Sequence, residues 1–227
     1  MCAETSKLEY KGMNMRTMAR TKWMACGVLV FLASATGAGG SIITYDLDYL
    51  FNPSGSPPAV PPWLTVTIDD GGTAGSVTLT LAATNLTGTE FVSGWYLNLD
   101  PDLDPTALVF SEPTKTGLFD VDSIDTGVDA YKADGDGNFD ILLSFGTSNA
   151  GGGTKRFGVA EAVEYTITGI STLTAGSFDF DSQGLSGGLP TAAQVQSVGW
   201  ITQLPEPATL ALVALGAGAL ALGRRRK

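Results

Sequence analysis

Through the middle of the chain, apolar and polar residues alternate one by one. In SIITYDLDYLF (41–51), Ile43, Tyr45, Leu47 and Tyr49 alternate with Thr44, Asp46 and Asp48. In WLTVTID (63–69), Leu64, Val66 and Ile68 alternate with Thr65 and Thr67. A period of two puts successive side chains on opposite faces of a strand, one face toward a core and one toward water. SVTLTLAAT (76–84) repeats the pattern with Val77, Leu79 and Leu81. Further strands are predicted in FVSGWYLNL (91–99), TALVFS (106–111), FDILLSF (139–145), VAEAVEYTITGI (159–170), GSFDF (176–180) and VQSVGWI (195–201). Clusters of Gly, Pro, Asn or Asp separate most of them. No amphipathic stretch of three helical turns interrupts the series. About nine short strands at this spacing predict an all-β fold, a single antiparallel β-sandwich of jelly-roll or immunoglobulin-like kind. SPPAVPP (56–62) reads as an extended connector or edge segment. SNAGGGTKR (148–156) reads as a hairpin tip.

The two ends break the pattern. Residues 16–22 carry Arg16, Arg20 and Lys22, an apolar stretch follows from Trp23, and Ala33-Ser34-Ala35 has the shape of a signal-peptidase site. Residues 1–35 are therefore predicted to form a signal helix, cleaved after Ala35 or within the next three residues. Met13, Met15 and Met18 lie just upstream of the apolar core, so the first dozen residues are open to reading as an over-called start. At the other end, residues 208–223 form an uncharged run followed by Arg224, Arg225, Arg226 and Lys227. A helix of that length spans roughly 24 Å against a ~30 Å hydrocarbon core, a short and marginal transmembrane helix. The basic stub stays on the cytoplasmic side. Pro205 and Pro207 keep the chain extended before the helix starts. The domain plan is a leader over 1–35, a β-sandwich over 36–203 and a tail over 204–227.

The order Pro205-Glu206-Pro207, short Leu/Ala/Gly span and terminal Arg cluster resembles the PEP-CTERM sorting signal of exported proteins of Gram-negative bacteria. The resemblance implies recognition of Pro205, Glu206 and Pro207 by exosortase, a membrane-embedded processing enzyme. It also implies transient anchoring in the inner membrane, then a place at the cell surface or in the extracellular polysaccharide matrix. Leu204 departs from the Val commoner before the motif. In the body, FVSGWYLNLDPDLDPTALVF (91–110) is faintly similar to cohesin-like bacterial surface sandwiches, with Leu99-Asp100-Pro101 and Asp104-Pro105 at turns.

Charge narrows the partners. The 227 residues carry a net charge of −10. Between residues 36 and 204 only Lys115, Lys132, Lys155 and Arg156 face 20 carboxylates, a balance of −16. Such a body repels nucleic acid and attracts divalent cations or basic partners, unless the charge serves solubility alone. Cys2 and Cys26 both lie in the leader, and the chain has no histidine. That excludes a disulfide framework in the body, His-dependent nucleophilic triads and His/Cys zinc sites.

Candidate chemistry is left to oxygen ligands, carboxylates and aromatics. In YKADGDGNFDIL (131–142), Asp134, Asp136, Asn138 and Asp140 alternate, with Gly135 and Gly137 between them. This reads either as a calcium loop, completed by Asp120, Asp122, Asp125 or Asp129, or as a Gly/Asp hairpin turn. Lys132 falls where the first ligand of an EF-hand loop belongs and Leu143 where its Glu belongs, and no helix flanks the segment. Calcium is the one cofactor for which the sequence offers a place. Glu90, Glu112, Glu161 and Glu164 are the glutamates open to pairing as in a glycosidase, with Glu161 and Glu164 expected to face solvent. Trp63, Trp95, Tyr96 and Trp200 offer either a sugar-stacking platform or sandwich core. The function expected is an exported, exosortase-processed structural component of the surface or matrix and not an enzyme. The alternative is a carbohydrate- or calcium-binding module, and the third reading a carboxylate-based hydrolase. The partners expected are signal peptidase, exosortase, the inner membrane in passing and extracellular polysaccharide, with no nucleic acid.

Overall fold

The computed structural model describes residues 39–56, 60–134, 136–183 and 188–203. All belong to the second of two units into which the chain divides, Gly37–Lys227. The signal segment 1–35, with Ala33 and Ala35, and the tail from 204 onward, with Pro205, Glu206, Pro207 and the Arg224–227 cluster, lie outside the described residues. Among the described residues, no helix is long and apolar enough to cross a membrane.

Among the described residues, twelve strands make two sheets, and every pairing is antiparallel. The first sheet runs β1 (Ile42–Leu47), β3 (Leu64–Asp69), β4 (Val77–Ala82), β10 (Ala162–Thr168) and β6 (Val109–Phe110), with β7 (Thr114–Thr116) also on β10. The second runs β2 (Tyr49–Pro53), β12 (Gly199–Thr202), β11 (Thr191–Gln196), β5 (Phe91–Leu97), β9 (Asp136–Phe145) and β8 (Val121–Ala133). The alternation of apolar and polar residues does its work here. Leu64, Val66, Ile68, Val77, Leu79 and Leu81 are buried, and the threonines between them are half-buried on the outer face. Trp95, Leu97, Ile141, Leu143, Ala193 and Ile201 meet them from the second sheet in one core. Each large aliphatic or aromatic side chain fully buried there is worth about 1.5–3 kcal/mol. This is the β-sandwich that the pattern predicts.

Several boundaries differ from the sequence reading. The stretch 41–51 is two strands in two sheets, not one. Alternation holds through Leu47, and at Asp48 the chain crosses over, its amide donating to the Thr202 carbonyl (3.1 Å). Tyr49, expected inward, is 42% exposed. The segment 176–180 is no strand: Ala175–Phe178 is a 3₁₀ turn closed by a reciprocal Thr174–Ser177 capping box. Residues 195–201 hold a hairpin, with Ser197 at φ 72° between β11 and β12. The segment 106–111 gives only β6, after a 3₁₀ turn Pro105–Ala107. Residues 148–156 are no hairpin tip, since they carry the chain from β9 in one sheet to β10 in the other. The pattern missed β7 and β8 altogether. β8 is a sheet edge, bent by three register shifts and with only Ala133 buried, so no buried face imposes a period on it.

Candidate functional site

The Asp/Gly segment lies at the β8–β9 hairpin. Ala133 pairs with Asp136, and between them Asp134 sits at φ 54°. Asp-Gly is the pair that a tight hairpin turn of this kind selects. Lys132 pairs with Asn138, which makes Gly137, at φ 68°, the extra residue of a bulge. A Cβ there would overlap the Ser182 side chain. Beyond the bulge Asn138 and Asp140 lie two residues apart on a strand, roughly 6.6 Å.

The carboxylates of this segment also reach in different directions. Asp134 accepts from the Asn52 amide on β2. Asp140 accepts from two backbone amides, Asp129 on β8 (2.8 Å) and Leu99 after β5 (3.0 Å). It therefore staples the β8 bulge and the loop after β5 to β9. The other proposed ligands are dispersed: Asp120 pairs with Lys155 (3.0 Å), Asp125 accepts from the Ser123 hydroxyl (2.7 Å) and Asp122 is exposed. Asp129 and Asp140 do share a cleft of about 200 Å³ with Asp100 and Asp181. No group of three or more metal-ligating side chains occurs among the described residues. The side chain of Asp136 is not among those described.

The Asp-Pro steps sit at turns. Asp100 Oδ1 accepts from the Asp102 amide (2.9 Å). Asp104 Oδ1 accepts from the Thr106 hydroxyl (2.7 Å) and amide (2.9 Å), which caps the 3₁₀ turn. Those two bonds hold the Asp104 carboxyl below its ordinary range.

Of the four glutamates, the fold brings two together. Glu90 and Glu161 line a cleft of about 260 Å³ with Arg156, whose guanidinium lies 4.2 Å from the centre of the Phe91 ring. Both carboxylates are engaged as acceptors. Glu90 Oε2 takes the Thr87 amide (2.8 Å), while Glu161 takes the Gly158 amide (2.8 Å) and the Leu118 amide (3.2 Å). They tie loops shut, and Glu161 is half-buried where a solvent-facing side chain was expected. Glu112 and Glu164 are exposed, Glu164 on the outer face of β10.

The aromatics divide by strand parity. Trp63 and Trp95 belong to the main core, where the Trp95 indole donates to Thr191 Oγ1 (3.1 Å). Neighbouring Tyr96 faces the other way, away from that core. With Ala133, Phe139 and Ala192 it forms a second small cluster, against which Phe51 and Trp200 pack. Tyr96 and Trp200 lie 5.5 Å apart at 54°, and Phe51 and Trp200 6.3 Å apart at 42°. Tilted rings, with Tyr96 only 9% exposed, make a packed cluster and not a flat stacking surface. The sequence reading missed Phe51 and Phe139, because nothing local shows that β2 and β9 flank Trp200 and Tyr96.

Two further phenols are buried. Tyr45 donates to the Phe178 carbonyl (3.0 Å) and to Asp179 (3.2 Å), and burial and the carboxylate together push its pKa well up. Tyr165, 1% exposed, packs edge-on against Phe110, 5.9 Å between ring centres, and burial pushes its pKa up to about 12.

No curated protein is similar to the chain. Among solved structures, it is similar to the CBM3b of the major scaffoldin subunit ScaA from Acetivibrio cellulolyticus. Sequence identity there is 11%, over 73% of this chain and 97% of that one, with a TM-score of 0.31. The last described strand, β12, ends at Thr202. From the next residue, 203–227, the chain carries a PEP-CTERM protein-sorting motif, which implies an exported protein processed by exosortase.

Proposed function

We propose that the chain is a non-catalytic structural protein of the cell surface or extracellular polysaccharide, delivered there by exosortase processing. In this reading residues 1–35 direct export and are removed by signal peptidase. The tail then holds the folded sandwich at the inner membrane, stopped by Arg224, Arg225, Arg226 and Lys227, while Pro205, Glu206 and Pro207 are recognised. The observation that carries it is the junction. The last described strand, β12, ends at Thr202 and the sorting motif starts at residue 203. A cut within the motif therefore removes no described strand. The body supports a non-covalent role, since Glu90, Glu161 and Asp140 are taken up as acceptors for backbone amides. In this reading the sandwich works in contact with neutral polysaccharide, to which its excess of carboxylates offers hydrogen-bond acceptors.

Mass spectrometry of the protein recovered outside the cell tests the reading, in strains with and without exosortase. The expected product lacks the Arg cluster and is lost when the enzyme is absent. Recovery of a product that extends through Lys227 would overturn it.

A further inference from the structure

β1 ends one side of the first sheet. It pairs with β3 on one edge, and no described strand lies along the other. The carbonyls of Ser41 and Leu47 accept from the amides of Asp70 and Trp63 (both 3.1 Å), so these positions turn their backbone groups toward β3. Alternation then turns the amides and carbonyls of Ile42, Thr44 and Asp46 toward the open edge. The Asp48 amide points the same way and donates to the Thr202 carbonyl (3.1 Å). The Asp46 amide donates to Gln203 Oε1 (3.2 Å). Among the described residues, the outward backbone groups of Ile42 and Thr44 have no partner. Such an edge is a template for one more strand.

The occupant follows from where the chain stands after β12. Thr202 and Gln203 are already bonded to the edge, and residues 204–227 come next. Carried on antiparallel to β1 in the register of the Asp48–Thr202 bond, the chain sets Leu204 against Asp46 and Glu206 against Thr44. In that register Leu204 and Glu206 turn amide and carbonyl toward β1, and the Leu204 carbonyl takes over the Asp46 amide from the Gln203 side chain. Pro205 and Pro207 turn away from β1. The two residues without an amide thus fall where none is needed, which is where proline is tolerated on an edge strand. A slip of one residue would turn both prolines toward β1 and lose two donors. The side chains agree, because neighbours across a ladder share a face. Pro205 falls beside buried Tyr45 and Pro207 beside half-buried Ile43, both on the core side, and Glu206 falls beside exposed Thr44.

We propose that the open edge of β1 is the docking site of the sorting motif, residues 204–207, which adds there as a further strand. The prolines then line the new outer edge, where another chain finds no amide to pair with. Docked, the motif turns both proline rings toward the sandwich and is withheld from exosortase until it undocks. That consequence rests on the reading that exosortase recognises Pro205, Glu206 and Pro207.

The test uses the full chain, purified in detergent from a strain without exosortase, and residue-resolved amide hydrogen exchange. The Thr44 amide is expected to be protected. Glu206→Pro removes the facing donor from a position outside the sandwich, so it does not endanger folding. It is expected to speed Thr44 exchange about 10-fold. Pro205→Ala leaves the facing bonds in place and is expected to keep the protection. Thr44 exchanging as fast in the wild-type chain as in Glu206→Pro overturns the docking. Equal loss of protection in Pro205→Ala and Glu206→Pro overturns the register on which it stands. In cells with exosortase, Thr44→Pro, whose lost amide faces the open edge and not β3, is expected to shed the tail faster than wild type. An unchanged rate overturns the withholding. A tail kept through Lys227 in every strain sinks the processing reading, and the exchange measurement still decides the docking.

Discussion

Asp140 separates a calcium loop from a structural turn. Its two oxygens take amide hydrogens from Asp129 and Leu99 at 2.8 and 3.0 Å, and the side chain is half-buried. Hydrogen bonds to a charged group contribute about 1.5–3 kcal/mol each. Asp140→Asn keeps one acceptor and turns an NH₂ donor toward the other amide, so about one such bond is lost, or roughly 2 kcal/mol. For a domain of this size that lowers the melting temperature by about 4–8 °C. The assay is thermal unfolding of the mature protein and the variant, each in chelator and in millimolar calcium. If Asp140 is a staple, the drop is the same in both buffers. If it is a metal ligand, wild type gains stability in calcium, about 2.7 kcal/mol at a hundred times the dissociation constant, and the variant does not. That second pattern would refute the staple. So would a variant melting within about 1 °C of wild type in chelator, since it would show the two amide bonds to be worth little.

Thr191→Val replaces a hydroxyl that accepts from the Trp95 indole (3.1 Å) and donates to the Tyr96 carbonyl (2.7 Å), with Thr191 and Trp95 fully buried. Stranding those groups is expected to cost about 2–3 kcal/mol in denaturant unfolding, against about 1 kcal/mol for Thr191→Ser, which loses only a methyl. Asp70 accepts from the amides of Ser41 (2.8 Å), Gly72 (2.9 Å) and Ala175 (3.2 Å), which hold its carboxyl below 3.8. Because the folded value is depressed, the stability it adds is complete above pH 3.8 and is lost as pH falls through the folded value. The melting temperature of Asp70→Asn is therefore expected to vary less with pH below 3.8 than that of wild type. Gly169, at φ 101°, lies where a Cβ would overlap the Ala107 carbonyl oxygen, so Gly169→Ala is expected to cost at least about 2 kcal/mol in the same unfolding assay.

The sequence by itself determined the all-β class, the buried sets of β3 and β4 and the kind of turn at Asp134, because each follows from periodicity or backbone chemistry within a few residues. It also carried the sorting motif, which is read from order and spacing along the chain. What it could not show were relations between distant residues. Asp48 looks like one more polar position in an alternating run, yet it is where the chain changes sheet, because the Thr202 carbonyl is there to receive its amide. Trp95 and Tyr96 look alike in sequence, and strand parity sends one into the core and the other away from it. β8 carries no periodic signal, since a bulged edge with one buried residue has no single buried face. Asp140 looks like a ligand beside Asn138, but the amides of Leu99 and Asp129, distant in sequence, claim its oxygens. Glu90 and Glu161 stand 71 residues apart and share a cleft. Period and turn chemistry act over one or two residues, whereas a hydrogen-bond partner is fixed by whichever strand packs alongside, and only the tertiary structure decides that.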